Sequence, residues 1–98
     1  MAEALTYEID GVTVDQYNAV NSELGIDPAS GGGDWPPELR SHTATFTEGG
    51  RFVLFEVWDS REAQEAFAVA KLGPALAKVG VAPPERMEWL TVFAGYPG

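Results

Sequence analysis

The chain has 98 residues, with 6 Lys+Arg against 15 Asp+Glu and a formal charge of −9, a length that predicts a single domain over residues 1–98. Its 45% hydrophobic content is that of a globular protein, and the acidic balance disfavours nucleic acid and anionic membrane, which attract clustered Lys and Arg. The absence of cysteine removes disulfides, thiolate metal sites and thiol catalysis.

No apolar run approaches the ~18 residues of a membrane span, and Met1-Ala2-Glu3-Ala4 lacks a basic signal start, so a soluble cytoplasmic protein is expected. Residues 1–39 hold eight acids and no base, −8, whereas residues 40–98 are nearly balanced at −1.

Leu5-Thr6-Tyr7-Glu8-Ile9 alternates apolar and polar and stops at Asp10-Gly11, the pattern of a half-buried strand. Thr13 and Gln16 form a capping box. Val14, Tyr17, Val20 and Leu24 then recur at helical spacing, and Gly25 sits where a left-handed cap belongs, predicting a helix over 14–24. Residues 26–39 contain three glycines and three prolines without periodicity, which predicts a long loop of the kind that is often functional.

Ser41–Thr47 and Arg51–Trp58 are rich in β-branched and aromatic residues and flank Glu48-Gly49-Gly50, predicting a β-hairpin. Asp59 or Ser60 caps a second helix with Ala63, Ala66, Phe67 and Ala70 as its apolar stripe. Pro74 predicts a break or kink, because it has no N–H to donate to the carbonyl four residues earlier, followed by helix through Val79. Gly80 and Pro83-Pro84 end it, and Met87–Phe93 is the final strand.

The order βαββαβ predicts an α+β, ferredoxin-like protomer, a four-stranded antiparallel sheet with both helices on one face. Strand 51–58 is apolar on both faces, since Phe52, Leu54 and Trp58 alternate with Val53, Phe55 and Val57. A second copy of the chain is the economical cover for the face without helices, so a homodimer is expected. Two strongly like-charged surfaces repel, so its seam should come from the nearly neutral residues 40–98.

Val57-Trp58-Asp59-Ser60-Arg61-Glu62-Ala63, Phe67, Leu72-Gly73-Pro74-Ala75-Leu76, Gly80 and Pro83-Pro84 resemble the dimeric α+β barrel superfamily, in particular the small bacterial proteins grouped with the antibiotic-biosynthesis monooxygenases. Gly11-Val12-Thr13, Tyr17 and His42 fit the same pattern. The resemblance implies a dimeric α+β barrel that binds a small apolar or aromatic molecule. It points to a cofactor-independent monooxygenase acting on an aromatic or polyketide-like metabolite, or a related isomerase or cyclase. The alternative is a non-catalytic dimeric binding, accessory or stress-related protein, for the fold hosts many functions.

His42, the only histidine, is the candidate catalytic base; otherwise it is a hydrogen-bonded core residue. A two- or four-residue hairpin loop puts it on the face of Val53, Phe55 and Val57, and a three-residue loop on the other. Glu56, mid-strand among apolar neighbours, is either paired with Arg40, Arg51, Arg86 or a partner-chain residue, or is a pocket carboxylate. Tyr7, Tyr17, Phe46, Phe55, Phe67 and Trp89 are candidates to line a cavity for a flat ring, or else fill the core. Trp35 reads as a lid or a dimer-seam anchor. One histidine and no acidic ligand spacing predict no metal, and no cofactor is expected.

Overall fold

The computed structural model describes residues 2–95; Met1 and residues 96–98 of the expected domain lie outside the described residues. Strand β1 (Glu3–Ile9) leads to helix α1 (Val14–Leu24). Thr13 and Gln16 close the predicted capping box, and Gly25 ends the helix at φ 76°, the left-handed conformation that favours glycine. The hairpin strands are β4 (Leu39–Phe46) and β5 (Phe52–Trp58), after two short strands, β2 (Ile26–Asp27) and β3 (Gly32–Gly33). Helix α2 (Arg61–Phe67), a π-helical turn (Ala68–Leu72) and helix α3 (Gly73–Val79) follow, and β6 (Arg86–Thr91) completes the chain order.

The main sheet runs β4-β5-β1-β6, with β1 antiparallel to both neighbours and β4 antiparallel to β5. This is the ferredoxin-like order, which places the two strands not joined by the hairpin at the centre and one edge. Leu5, Tyr7 and Ile9 from β1 and Phe52 and Leu54 from β5 form one buried cluster with Val20, Ala75, Leu76 and Val81. Both helical segments therefore cover the same sheet face. The other face carries Thr6, Val53, Phe55, Val57 and Leu90, with Phe55 and Leu90 39% and 38% exposed.

Three local expectations change. The loop over 26–39 contains a miniature hairpin, because Ile26 and Asp27 pair with Gly33 and Gly32 around a turn held by Asp27. Its carboxylate accepts from the Ala29 N–H at 3.1 Å and the Ser30 hydroxyl at 2.8 Å, an Asx-type turn. The helix does not break at Pro74. Ala68, Leu72 and Gly73 keep right-handed helical dihedrals, and the Gly73 N–H bonds to the Ala68 carbonyl five residues back. That wider turn shifts the hydrogen-bond register by one residue, so the missing Pro74 donor is absorbed. The last strand spans Arg86–Thr91, leaving Phe93 97% exposed beyond it.

Candidate functional site

The hairpin decides what His42 can reach. The Thr47 N–H bonds to the Arg51 carbonyl at 2.9 Å, so the loop is the three residues Glu48-Gly49-Gly50, with Gly50 at φ 86°. This is the geometry of a type I turn closed by a left-handed residue. An odd loop sets His42 directly opposite Glu56, on the helix-covered face with Phe52 and Leu54 rather than on that of Val53, Phe55 and Val57.

Glu56 is 6% exposed and thus needs partners. None of the three arginines proposed from sequence supplies one: Arg40 pairs with Asp59, Arg51 with Glu8 and Asp10, and Arg86 with Glu8. One carboxylate oxygen of Glu56 accepts from the Trp58 indole N–H at 3.1 Å, and the other lies 2.7 Å from His42 Nδ1. His42 Nε2 lies 2.7 Å from the Tyr17 hydroxyl. The carboxylate requires a proton on Nδ1, which makes Nε2 the acceptor of the neutral ring and Tyr17 its donor. The relay is then Tyr17 O–H to His42, His42 N–H to Glu56, with the Trp58 N–H fixing the far end. Tyr17 and His42 stack with their rings 14° from parallel, and the Trp35 ring lies 5.3 Å from that of His42, tilted by 60°.

His42 lines two spaces. Outside is an open groove of about 350 Å³, with Trp35, Pro28, Gly31, Leu39 and Arg40 as further walls. Inside, between α1 and the sheet, is a cavity of about 40 Å³ lined by Tyr7, Tyr17, Asn21 and Phe52 among others. Burial raises the Tyr17 phenol above its ordinary pKa; a hydrogen bond from the Asn21 amide pulls it the other way, and the Glu56 charge adds to the rise. The Tyr7 phenol is pushed well above its ordinary value by burial, then by Glu56 and Tyr17. Both phenols therefore stay protonated, as donors, at neutral pH. Tyr7 also borders a second apolar cavity of about 310 Å³ beneath the π turn, with Gln64, Leu72 and Met87.

Of the candidates named from sequence, His42, Glu56, Tyr17 and Tyr7 come together here. Phe46 is at the margin, 46% exposed and edge-on to Phe52. Phe67 packs on Trp58 at 5.8 Å and Trp89 lies under the Arg61 guanidinium at 5.0 Å, both away from the His42 cavity lining. Phe55 points from the opposite sheet face. Sequence reasoning missed Asn21, one turn beyond Tyr17 on α1 and therefore on the same helix face, and missed the indole of Trp58 as the Glu56 donor. Among the described residues no cluster of three His, Cys, Asp or Glu could hold a metal ion, and no helix is long and apolar enough to cross a membrane.

No family model matches the chain, and no curated protein matches it. Solved structures do. A protein from Chloroflexus aurantiacus bearing the name antibiotic biosynthesis monooxygenase superposes with a TM-score of 0.64 at 19% identity, over 98% of this chain and 97% of that one. SnoaB from Streptomyces nogalater, a cofactor-independent oxygenase, gives 0.60 at 14% identity over 99% and 96%. A dimeric ferredoxin-like protein of unknown function from Thermobifida fusca gives 0.55 at 20% over 93% and 90%. The chain thus has the ferredoxin-like α+β fold of the antibiotic-biosynthesis-monooxygenase-like proteins, as its Val57–Ala63 and Leu72–Leu76 segments lead one to expect.

Proposed function

We propose that the chain is a cofactor-independent oxygenase that holds a small aromatic or polyketide-like metabolite beside His42 and takes a proton from it. The observation that carries this reading is the Tyr17–His42–Glu56 relay. Both ring nitrogens of His42 are engaged, so the group that meets a ligand in the inner cavity is the Tyr17 oxygen. A proton leaving an acidic ligand carbon arrives at that oxygen as Tyr17's own proton passes to His42 Nε2. The resulting imidazolium faces Glu56, whose charge stabilises it. The ligand's ring body lies in the groove against Trp35, and apolar walls keep water from the anion.

The carbanion gives one electron to dioxygen and the radical pair joins to a peroxide anion. That anion takes the relay proton, and loss of water leaves a new carbonyl. One methylene and one O2 thus become one C=O and one H2O, with no metal, flavin or haem. The likeness in fold to a cofactor-independent oxygenase supports this chemistry. The dimeric Thermobifida fusca neighbour supports assembly as a homodimer, and the exposed Phe55 and Leu90 on the sheet face without helices supply its seam.

Oxygen consumption with a panel of anthrones and hydroquinones tests the reading. At least one member is consumed faster than it autoxidises, and His42→Ala lowers that rate by about 10²–10⁴-fold, the usual worth of a general base. Uptake no faster than the uncatalysed rate on every member overturns it, leaving a binding protein without this activity.

A further inference from the structure

Tyr7 and Gln64 are 4% and 3% exposed, and both line the cavity of about 310 Å³ beneath the π turn. Among the described residues the Tyr7 hydroxyl and the Gln64 amide have no hydrogen-bond partner, and burial, Glu56 and Tyr17 set the state of the Tyr7 phenol. Interiors pair nearly all such groups, so two unpaired ones on a single space call for a ligand. The space exists because the π turn widens the helix over two small residues, Ala68 and Gly73, which cannot fill it. Its other walls include Leu72, Leu76, Val81 and Met87. Met87 stands opposite Tyr7 on β6 and is 48% exposed, which gives the cavity a mouth at the sheet edge.

We propose that this cavity is a second ligand site, separate from the His42 groove, for an uncharged aliphatic alcohol of medium length. Its hydroxyl accepts from the Tyr7 O–H and donates to the Gln64 carbonyl oxygen, so one group satisfies both side chains. The aliphatic walls take the chain, as in sites where a few polar groups orient a mainly apolar ligand. At about 310 Å³ the space holds roughly ten water-sized groups, which an eight-carbon alcohol nearly fills. The only aromatic side chain on the cavity is Tyr7, so the walls hold no pair of rings to sandwich a flat molecule. An anionic head is disfavoured, because the Glu56 charge acts on the Tyr7 hydroxyl and would repel a second charge in the same dry space. The site goes beyond the oxygenase reading and does not rest on it.

The probes are 1-octanol and octanoate, titrated into the full chain at pH 7 and followed by the methyl NMR signals of Leu72, Leu76 and Met87. In wild type 1-octanol shifts these signals saturably, and octanoate binds at least about ten-fold more weakly, because its charge must be buried beside Glu56. Gln64→Leu and Tyr7→Phe each weaken 1-octanol about five-fold, the worth of one hydrogen bond. Ala77→Phe, at an exposed helix position that lines the cavity, blocks it and abolishes binding; it also serves if the Gln64 variant does not fold. No saturable shift up to the solubility limit of 1-octanol overturns the site, as does binding that survives Ala77→Phe. Equal affinity for octanoate, or an affinity unchanged in both Gln64→Leu and Tyr7→Phe, overturns the assignment of an uncharged hydroxyl to this pair.

Discussion

Burying a carboxylate between Leu54 and Trp58 is costly unless its oxygens are occupied, and those of Glu56 are taken by an indole N–H and an imidazole N–H. The cost returns when one partner goes. His42→Leu leaves the Glu56 charge in place with Trp58 alone, so unfolding in urea at pH 7 should show a loss of about 3–5 kcal/mol. The double variant His42→Leu/Glu56→Leu should lose clearly less, because it removes charge and partner together; equal losses would mean that the two side chains act independently. Tyr7 makes a pH prediction. Below about pH 10 the folded and unfolded chains both keep its proton, while above it the unfolded chain releases the proton that the raised folded-state pKa retains. Stability therefore falls as pH rises through and beyond 10, and Tyr7→Phe should fall less steeply when urea midpoints at pH 8 and pH 10.5 are compared. Sequence made His42, Glu56 and Tyr17 visible one at a time. Their connection hung on one integer, the length of the hairpin loop, since a single residue more or less sends His42 to the other face. The place of Asn21 beside Tyr17 in the cavity wall was not legible at all, because burial of a polar side chain is a property of packing rather than of residue type.

The loop over 26–39 brings Trp35 to His42, and glycine geometry explains how so little regular structure can do it. Gly33 sits at φ 101°, and a Cβ there would collide with the Gly25 carbonyl and lie 2.7 Å from the Ile26 Cα, both backbone atoms that cannot move aside. The next residue anchors the loop, with the Asp34 N–H bonded to that same Gly25 carbonyl at 2.8 Å. Gly33→Ala should cost about 3 kcal/mol and shift the emission of Trp35 toward that of a solvated indole. Gly31 is the control: it is also left-handed, at φ 76°, but faces open space, so Gly31→Ala should cost only about 1–2 kcal/mol. Equal losses in urea midpoint would show that conformation alone, without the close approach of two backbones, limits position 33. Turn chemistry in this segment was readable in its glycines and Asp27, but a two-residue pairing carries no hydrophobic period to detect. The break at Pro74 is absent for a different reason. Proline forbids one hydrogen bond, and whether the chain breaks or shifts register depends on what the helix packs against. Here Leu76 and Ala75 are held in the core, so the register yields instead of the helix.

At the scale of the whole molecule, the fold was the most legible feature because two periods, 3.6 and 2, alternate in an order that only a few topologies accept. The same reasoning exposes what one chain leaves uncovered. Phe55 and Leu90 stand more than a third exposed on the face without helices, flanked by Val53, Val57, Thr6 and Thr43. Glu8, the acid on that face of β1, is already tied to Arg51 and Arg86. Glu88, opposite Thr6 on the same face, is the second acid, so Glu8 and Glu88 stand against Arg51 and Arg86 and the face is close to neutral while the chain as a whole carries −9. Burying two such faces against each other gains about 25 cal/mol per Å² of apolar surface without pressing the acidic first helix of one copy onto that of the other. Wild-type protein should sediment as a dimer at micromolar concentration. Phe55→Lys puts a cation on each copy of the face and should weaken association by at least about 100-fold, with the His42 relay untouched on the far side of the sheet. The remaining charge acts at longer range: two copies at −9 each repel through solvent, and salt screens that repulsion within about 10 Å at 0.1 M. Raising ionic strength should therefore tighten the dimer, the reverse of what an ion-paired seam would do. A wild-type monomer at tens of micromolar, or a dimer that loosens with salt, would remove the neutral sheet face as the seam.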